Sequence, residues 1–154
     1  MREHFSHFHI HRRGHELQKS IDWIYQILLH RAYVDGTYYY QTAEWFLFYV
    51  SMLLKQTHDA NLREKFGSLL KERIQERIGI PGDSLVLGMR LSVCHAMRVP
   101  NYQDVETLTE MQCEGGGWEP GYLYSIPIVG KRIFNRGFTT ALAIQVIKES
   151  RLNQ

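Results

Sequence analysis

Apolar residues recur with helical spacing in six segments of the chain. In residues 15–31, leucines and isoleucines return at three- and four-residue steps, which is the period of an amphipathic helix. The same spacing predicts a third helix over residues 62–78 and a short fifth helix that starts at Asn101 or Asp104 and ends at Met111. Each of these helices has one apolar stripe among charged residues, so we expect them at the surface.

The other three helices, residues 43–55, 85–97 and 139–149, are apolar on most sides. A helix that is hydrophobic all round is buried. Amphipathic and apolar helices therefore alternate, which is typical of helix pairs stacked in two layers with the apolar members inside. We predict an all-α fold of α-hairpin repeats, with outer amphipathic and inner apolar helices.

Short polar side chains mark where three of these helices begin. Such residues accept hydrogen bonds from the free N–H groups of the first helical turn. The predicted N-caps are Thr42 for the second helix, Asp59 or Asn61 for the third, and Asp83 or Ser84 for the fourth.

The first 13 residues show little periodicity but carry His4, His7, His9 and His11. In a strand, the last three imidazoles would share one face and could bind a metal ion. The alternative is a poorly ordered terminus, which is common at chain ends. We predict the latter, followed by one domain over residues 14–154.

Charge and cysteine content narrow the class of protein. The 154 residues fit one domain, and the net charge of +2 is close to balanced. Basic and acidic residues alternate, so no nucleic-acid partner is expected. Two cysteines do not make a disulfide framework, which favours a reducing, cytoplasmic location. The longest apolar run, residues 45–54, is too short to span a bilayer.

A glycine-rich turn leads towards the last helix and ends at a tryptophan. Gln112 is followed by three consecutive glycines and then by Trp118. Glycine accepts the positive φ angles of tight turns, and tryptophan adds a large apolar face with one N–H donor. Residues 33–38 also place an acid, a glycine and an aromatic between an outer and an inner helix, which favours an internal repeat.

The spacing of Leu108, Gln112, Gly116 and Trp118 resembles the glutamine–tryptophan repeat of the terpenoid-cyclase and protein-prenyltransferase superfamily. Residues 14–17, 29–36, 76–83 and 135–143 resemble uncharacterised fungal members. The resemblance covers residue 14 to the end. It implies part of an α/α toroid, an isoprenoid ligand, and a C-terminal fragment that packs against a missing N-terminal half or a partner chain.

The sequence departs from the catalytic motifs of that superfamily. It has neither the Asp-x-Asp-Asp motif of class II cyclases nor the D-D-x-x-D motif that binds magnesium in class I cyclases. Cys94 and His95 are neighbours on a helix and point apart, so they are poor co-ligands for zinc. Gly115 stands where similar proteins have an aspartate. We predict no cofactor and no metal site, and we assign no catalytic residue; an enzyme would need its acid or metal motif from elsewhere.

The candidate substrate-binding residues lie on connections into inner helices. They are Tyr38, Tyr40, Glu44, Glu114, Trp118, Tyr122, Tyr124 and Arg136. Aromatic faces can stabilise a carbocation. Alternatively, the aromatic residues seal the loop layer over the core, and the two glutamates favour a helix N-terminus or pair with Arg136. The connection over residues 119–136 is long, and we predict a lid or pocket wall there.

Two functions remain open. An isoprenoid cyclase-like or prenyltransferase-like enzyme would have a deep apolar cavity between inner helices. Lys131, Arg132 and Arg136 could then bind a diphosphate, or simply be solvated. A non-catalytic helical module would instead expose an apolar flank on residues 15–31 or on the last helix.

Overall fold

The computed structural model describes residues 2–37 and 39–152, with side chains from residue 16 onward except at residue 127. The chain forms two compact units, Met1–Ala32 and Tyr33–Gln154. The first unit contains one helix, α1 (Arg2–His30). It begins well before the predicted residue 15 and includes the segment predicted to be poorly ordered. The backbone there is helical. The strand that would have placed His7, His9 and His11 on one face is therefore not formed, and that alternative is wrong.

The second unit contains five helices and one β-hairpin. They are α2 (Ala43–Gln56), α3 (Ala60–Gln75), α4 (Ser84–Ala96), α5 (Tyr102–Glu110), β1 (Gly121–Ile126), β2 (Lys131–Asn135) and α6 (Arg136–Leu152). The prediction of a mainly helical chain is confirmed. None of the helices in the described ranges has the length and apolar character needed to cross a membrane.

Side-chain caps fix the starts of three helices. Asp59 accepts hydrogen bonds from the N–H groups of Asn61 and Leu62, at 2.9 and 3.2 Å. Asp83 accepts one from Val86 at 2.9 Å, and Asn101 accepts one from Asp104 at 3.1 Å. Thr42 occupies the N-cap position of α2, but its side chain makes no capping hydrogen bond.

Helix α4 is the centre of the second unit. Every residue from Ser84 to Leu91 is buried, and α4 contacts α2, α3, α5, α6 and β1. Gly88 permits a close approach of α6, because a Cβ there would lie 3.1 Å from the side chain of Leu142. A glycine at this position lets the two helices pack closely.

The prediction that three helices are buried on nearly all sides is correct for α4 alone. Helices α2 and α6 each bury one face against α4 and expose apolar residues on the other. The exposed apolar residues are Tyr49, Met52 and Leu53 on α2, and Phe138, Ile144 and Leu152 on α6. No element within the described residues of the second unit covers these faces.

The connection predicted as a lid or pocket-wall loop is instead largely a β-hairpin. Strands β1 and β2 are antiparallel, with Gly121 opposite Asn135 and Ile126 opposite Lys131. A bulge falls between Tyr122 and Tyr124, where one extra residue bends the strand. The short strands contain Tyr, Ile and Phe, which favour pleated structure.

Gly121 provides a first test of this packing. A Cβ built on Gly121 would lie 2.1 Å from the Cβ of Leu85. We therefore expect Gly121→Ala to lower the free energy of unfolding by about 1–3 kcal/mol, as overpacked positions do. Urea unfolding measures the change.

Gly115→Ala is the matched control, because a Cβ at Gly115 meets nothing within 4 Å. Its effect should stay within about 0.5 kcal/mol. Equal unfolding midpoints for the two variants would contradict the close contact between β1 and α4.

Candidate functional site

The candidate residues that the structure describes separate into three groups. Tyr38 lies outside the described residues. Glu44 and Trp118 are buried in the core, whereas Glu114 and Arg136 are exposed near the glycine turn. The remaining candidates, Tyr40, Tyr122 and Tyr124, lie on the connection before α2 and on β1.

Trp118 is a core residue. Only 3% of it is exposed, and it packs in one cluster with Leu85, Leu108 and Leu142. Its indole N–H donates a hydrogen bond of 2.6 Å to the carbonyl oxygen of Leu108. This side chain therefore joins the end of α5 to the main core.

The glycine turn is held by backbone hydrogen bonds and by one arginine. Gly116 and Gly117 have φ angles of 79° and 73°, which favour glycine. Arg136 donates a hydrogen bond of 3.1 Å to the carbonyl oxygen of Gly116, which fixes the turn to the start of α6. Glu114 is exposed, and no ion pair joins it to Arg136 among the described residues.

Glu44 lies in the core and not at a pocket mouth. It is 1% exposed, and its Oε1 accepts hydrogen bonds from Nη2 and Nε of Arg90 at 2.9 and 3.2 Å. Arg77 Nε donates to the same oxygen at 3.1 Å. The alternative in which Glu44 pairs with Arg136 is therefore wrong, because Glu44 pairs with Arg90 and Arg77.

A second carboxylate completes this buried charge cluster. Arg90 Nη1 lies 3.2 Å from Asp104 Oδ2 and 2.7 Å from the carbonyl oxygen of Ile80. Asp104 also accepts hydrogen bonds from Asn101 Nδ2 and the Gly79 N–H, at 2.7 and 3.2 Å. A fully buried arginine is tolerated when it is paired and hydrogen-bonded in this way. The cluster connects α2, α4 and α5.

The hairpin is attached to the connection that precedes α2. Ser125 N–H donates to the carbonyl oxygen of Tyr39 at 3.1 Å, and the Tyr122 hydroxyl lies 3.4 Å from the same oxygen. The Tyr122 ring meets Phe134 edge-on, with 5.7 Å between ring centroids. Tyr124 is 38% exposed. These contacts bring the tyrosines of two separate connections to one end of α4.

Tyr40 belongs to an aromatic cluster on α2. Its ring lies 5.3 Å from that of Trp45, which stacks on Tyr49 at 5.6 Å. Burial is the main cause that raises the pKa of Tyr49, and the neighbouring Tyr40 adds to it. Tyr40 thus packs, partly buried, against the edge of the core.

The deep apolar cavity expected between inner helices does not appear in the described residues. The apolar faces of α2, α4 and α6 pack against one another. A cleft of about 700 Å³ does lie between these helices, but Lys55, His95 and Glu149 line it together with apolar side chains. The cleft between these three helices is therefore lined by both charged and apolar side chains.

Metal-ligating side chains are dispersed. Among the described residues, no three His, Cys, Asp or Glu side chains are grouped so that they could hold a metal ion. Cys94 is fully buried, and burial raises the pKa of its thiol to about 11. It behaves as a small apolar core residue.

His95 joins α4 to α6, a contact that the sequence pattern did not reveal. Its Nδ1 lies 2.9 Å from Glu149 Oε2, and its Nε2 lies 2.8 Å from Ser150 Oγ. Burial acts to raise the pKa of Glu149, but hydrogen bonds from Gln145 and His95 outweigh it, so the pKa is lower than the usual 4.5.

The lowered pKa of Glu149 gives a pH-dependent contribution to stability. A carboxyl whose pKa is depressed in the folded state stabilises the fold above its unfolded pKa, and this is lost as pH falls through the folded value. We expect Glu149→Gln to destabilise the chain by less than about 1 kcal/mol at pH 7, because the pair is partly exposed. Urea midpoints at pH 7 and pH 3 measure the effect.

Glu106→Gln, at an exposed glutamate of α5, is the matched control. The difference between the Glu149→Gln variant and the parent should shrink as pH falls below 4.5 and vanish only below the lowered pKa of Glu149 in the folded chain. A difference that is equally large at both pH values would show that the charge of Glu149 contributes nothing.

Comparison with known proteins gives one informative match. No family model matches the chain, and no solved structure matches it significantly. The chain is homologous to part of a terpenoid cyclase. This relative is the drimenol cyclase drtB of Aspergillus calidoustus, with 39% identity over 138 residues, which is 90% of the chain. The matched region is 26% of the relative, so the chain spans about a quarter of that protein's length.

Proposed function

We propose that the chain is a domain of a terpenoid cyclase-like enzyme that acts on an isoprenoid. The observation that carries the proposal is the 39% identity to a drimenol cyclase over 90% of the chain. The mainly helical fold fits the α-hairpin repeats of an α/α toroid. A prenyltransferase-like activity has no comparable support.

The hairpin end of the second unit is the surface we propose for isoprenoid contact. Tyr124 is partly exposed there, Tyr39 is 55% exposed, and Tyr122 is half-buried beside them. Aromatic faces of this kind attract a cationic intermediate by cation–π interaction. Lys131 and Arg132 are exposed on β2 and could attract a diphosphate. The surface is open, so we propose that it forms one wall of the cavity.

The acid that starts a cyclisation would come from residues outside this sequence. No Asp-x-Asp-Asp or D-D-x-x-D motif occurs in the chain. Of the two acids expected near a pocket mouth, Glu44 pairs with two arginines, and Glu114 is exposed. A general acid needs a proton to give and access to the substrate. We therefore propose that this domain contributes binding surface and not the proton donor.

Equilibrium binding of farnesyl diphosphate tests the proposed wall. We expect replacement of both Tyr122 and Tyr124 by alanine to weaken binding roughly 30-fold, since each apolar contact with the farnesyl chain contributes of the order of 1 kcal/mol and about 1.4 kcal/mol is a factor of ten. Tyr102→Ala, at an exposed tyrosine of α5, is the matched control. Unchanged affinity in the double variant would remove the hairpin from the proposed site.

Exposed apolar side chains favour a second candidate function, a non-catalytic module that packs against another chain or domain. Ile128, at the tip of the hairpin, is 97% exposed, and Val129 beside it is 67% exposed. Such residues commonly mark interaction surfaces. Self-association of the chain that disappears in the Ile128→Ser, Val129→Ser variant, without any isoprenoid binding, would favour this function.

A further inference from the structure

Three side chains at the other end of α4 and α6 form a chain of hydrogen bonds that joins a hydroxyl, an imidazole and a carboxylate. Ser150 Oγ lies 2.8 Å from His95 Nε2, and His95 Nδ1 lies 2.9 Å from Glu149 Oε2. His95 is in the last turn of α4, whereas Glu149 and Ser150 follow each other near the end of α6. The order of groups is that of a nucleophile, a general base and the acid that orients it.

A cleft opens directly on the nucleophile and the base. It has a volume of about 450 Å³, and both Ser150 and His95 line it. Its other walls include Val99 and Val105, which are apolar, and the guanidinium-bearing Arg98. A hydroxyl nucleophile beside a partly apolar cleft is suited to attack a small carboxylic ester. The carbonyl oxygen of such an ester would face the cationic side chain of Arg98.

We propose that this cleft is a second site with serine esterase activity towards small carboxylic esters. In the reaction, Ser150 Oγ forms a bond to the ester carbonyl carbon while His95 Nε2 accepts the hydroxyl proton. The C–O bond to the alcohol then breaks, and the alcohol leaves with the proton from His95. Water, activated by the same imidazole, hydrolyses the acyl-serine to a carboxylic acid and restores Ser150. Arg98 stabilises the negative charge of each tetrahedral intermediate.

The protonation state of His95 decides whether the serine is activated. Ser150 Oγ also lies 2.8 Å from the carbonyl oxygen of Val146. When His95 carries two protons, it donates to both Glu149 and Ser150, and the serine hydroxyl donates to Val146. In the neutral form with the proton on Nδ1, Nε2 can accept the serine proton instead. Glu149, which accepts from Nδ1–H, holds the imidazole in the form that acts as a base.

The site is separate from the proposed isoprenoid surface. The hairpin adjoins the first residues of α4 and α6, whereas His95 and Ser150 lie near the last residues of these helices. Fourteen residues separate Arg136 from Ser150 along α6, which corresponds to about 21 Å at 1.5 Å per residue. The esterase proposal therefore does not depend on the terpenoid proposal, and each can fail alone.

Hydrolysis of p-nitrophenyl acetate by the purified chain tests the esterase proposal. We expect Ser150→Ala and His95→Gln each to lower kcat/KM about 100-fold, which is the lower end of what a positioned general base contributes. Ser92→Ala is the matched control, because Ser92 lies on α4 and lines the neighbouring cleft. Its activity should equal that of the parent chain.

Glu149 is a positioning residue, and the pH dependence of the hydrolysis rate tests its role. In Glu149→Gln, the carboxylate no longer stabilises the imidazolium. The pH–rate profile should therefore rise at a lower pH than in the parent chain. Lys55 of α2 and Arg98, whose charges also face this region, remain unchanged in this variant. A profile that does not move would remove Glu149 from the mechanism.

Labelling of the unmodified chain with a fluorophosphonate keeps the test independent of variant folding. Peptide mass analysis should find the phosphonyl group on Ser150. Labelling of no serine, or of another serine, would overturn the proposal, as would equal hydrolysis by the Ser150→Ala and parent chains. His95 would then be a structural contact between α4 and α6 only.

Discussion

Replacing Arg90 by methionine should lower the free energy of unfolding by about 3–5 kcal/mol, the usual cost of removing one partner of a buried ion pair. Arg90 is fully buried and donates to Glu44, Asp104 and the carbonyl oxygen of Ile80. Methionine fills part of the space but leaves Asp104 without its cation and Glu44 with only Arg77. Urea unfolding followed by circular dichroism measures the loss.

Arg132→Met is the matched control, because Arg132 is an exposed arginine on β2. It should change the free energy by no more than about 0.5 kcal/mol. Adding Asp104→Asn to Arg90→Met should restore part of the stability, since Asp104 is then no longer an uncompensated buried charge while Glu44 keeps Arg77. Equal midpoints for Arg90→Met and Arg132→Met would contradict the buried charge cluster.

Trp118→Ala should also cost about 3–5 kcal/mol, as large-to-small changes of buried tryptophan do. The substitution empties a site between α5, α4 and α6, where Trp118 packs with Leu108 and Leu142. It also leaves the carbonyl oxygen of Leu108 without the indole N–H that lies 2.6 Å away. Thermal unfolding gives the change in stability.

Trp118→Phe separates the two contributions. Phenylalanine keeps most of the packing but cannot donate the hydrogen bond, so about 1–3 kcal/mol should be lost. Trp23→Ala is the control at an exposed tryptophan of α1. A Trp118→Ala variant as stable as Trp23→Ala would show that Trp118 is not a core residue.

Helix positions could be predicted from sequence because local signals mark their ends. Asp59, Asp83 and Asn101 are short polar residues before apolar segments, and each caps its helix in the structure. The burial of α4 followed from its nearly continuous apolar run. By contrast, α2 is at least as apolar in sequence as α4 but exposes one face, because burial depends on neighbours that a single helix does not specify.

The hairpin could not be predicted because its strands carry a weak pattern. The bulge between Tyr122 and Tyr124 interrupts the alternation of inward and outward residues in β1. Pairing between residues that lie far apart along the chain, such as Gly121 and Asn135, leaves little local signal. Its aromatic content was visible, and this is why a pocket wall was expected there.

The candidate site was predicted in composition but not in placement. Glu44 and Trp118 are buried in the core, where Glu44 accepts a hydrogen bond from Arg90 and Trp118 donates one to the carbonyl oxygen of Leu108. One signal could have revealed the charge cluster. Arg90 and Glu44 are charged residues within mostly apolar stretches of two helices, and a charge that is buried requires a partner of opposite sign. The contact of His95 with Ser150 spans 55 residues and has no comparable signal.

The most direct test of the proposed function is product analysis after incubation with isoprenoids. The chain, together with any sequence that its gene encodes before it, would be incubated separately with farnesyl diphosphate, geranylgeranyl diphosphate and squalene. The account predicts a cyclised terpenoid from one of these substrates, and a lower yield or altered product when Tyr122 and Tyr124 are replaced by alanine. Recovery of all three substrates unchanged would contradict it.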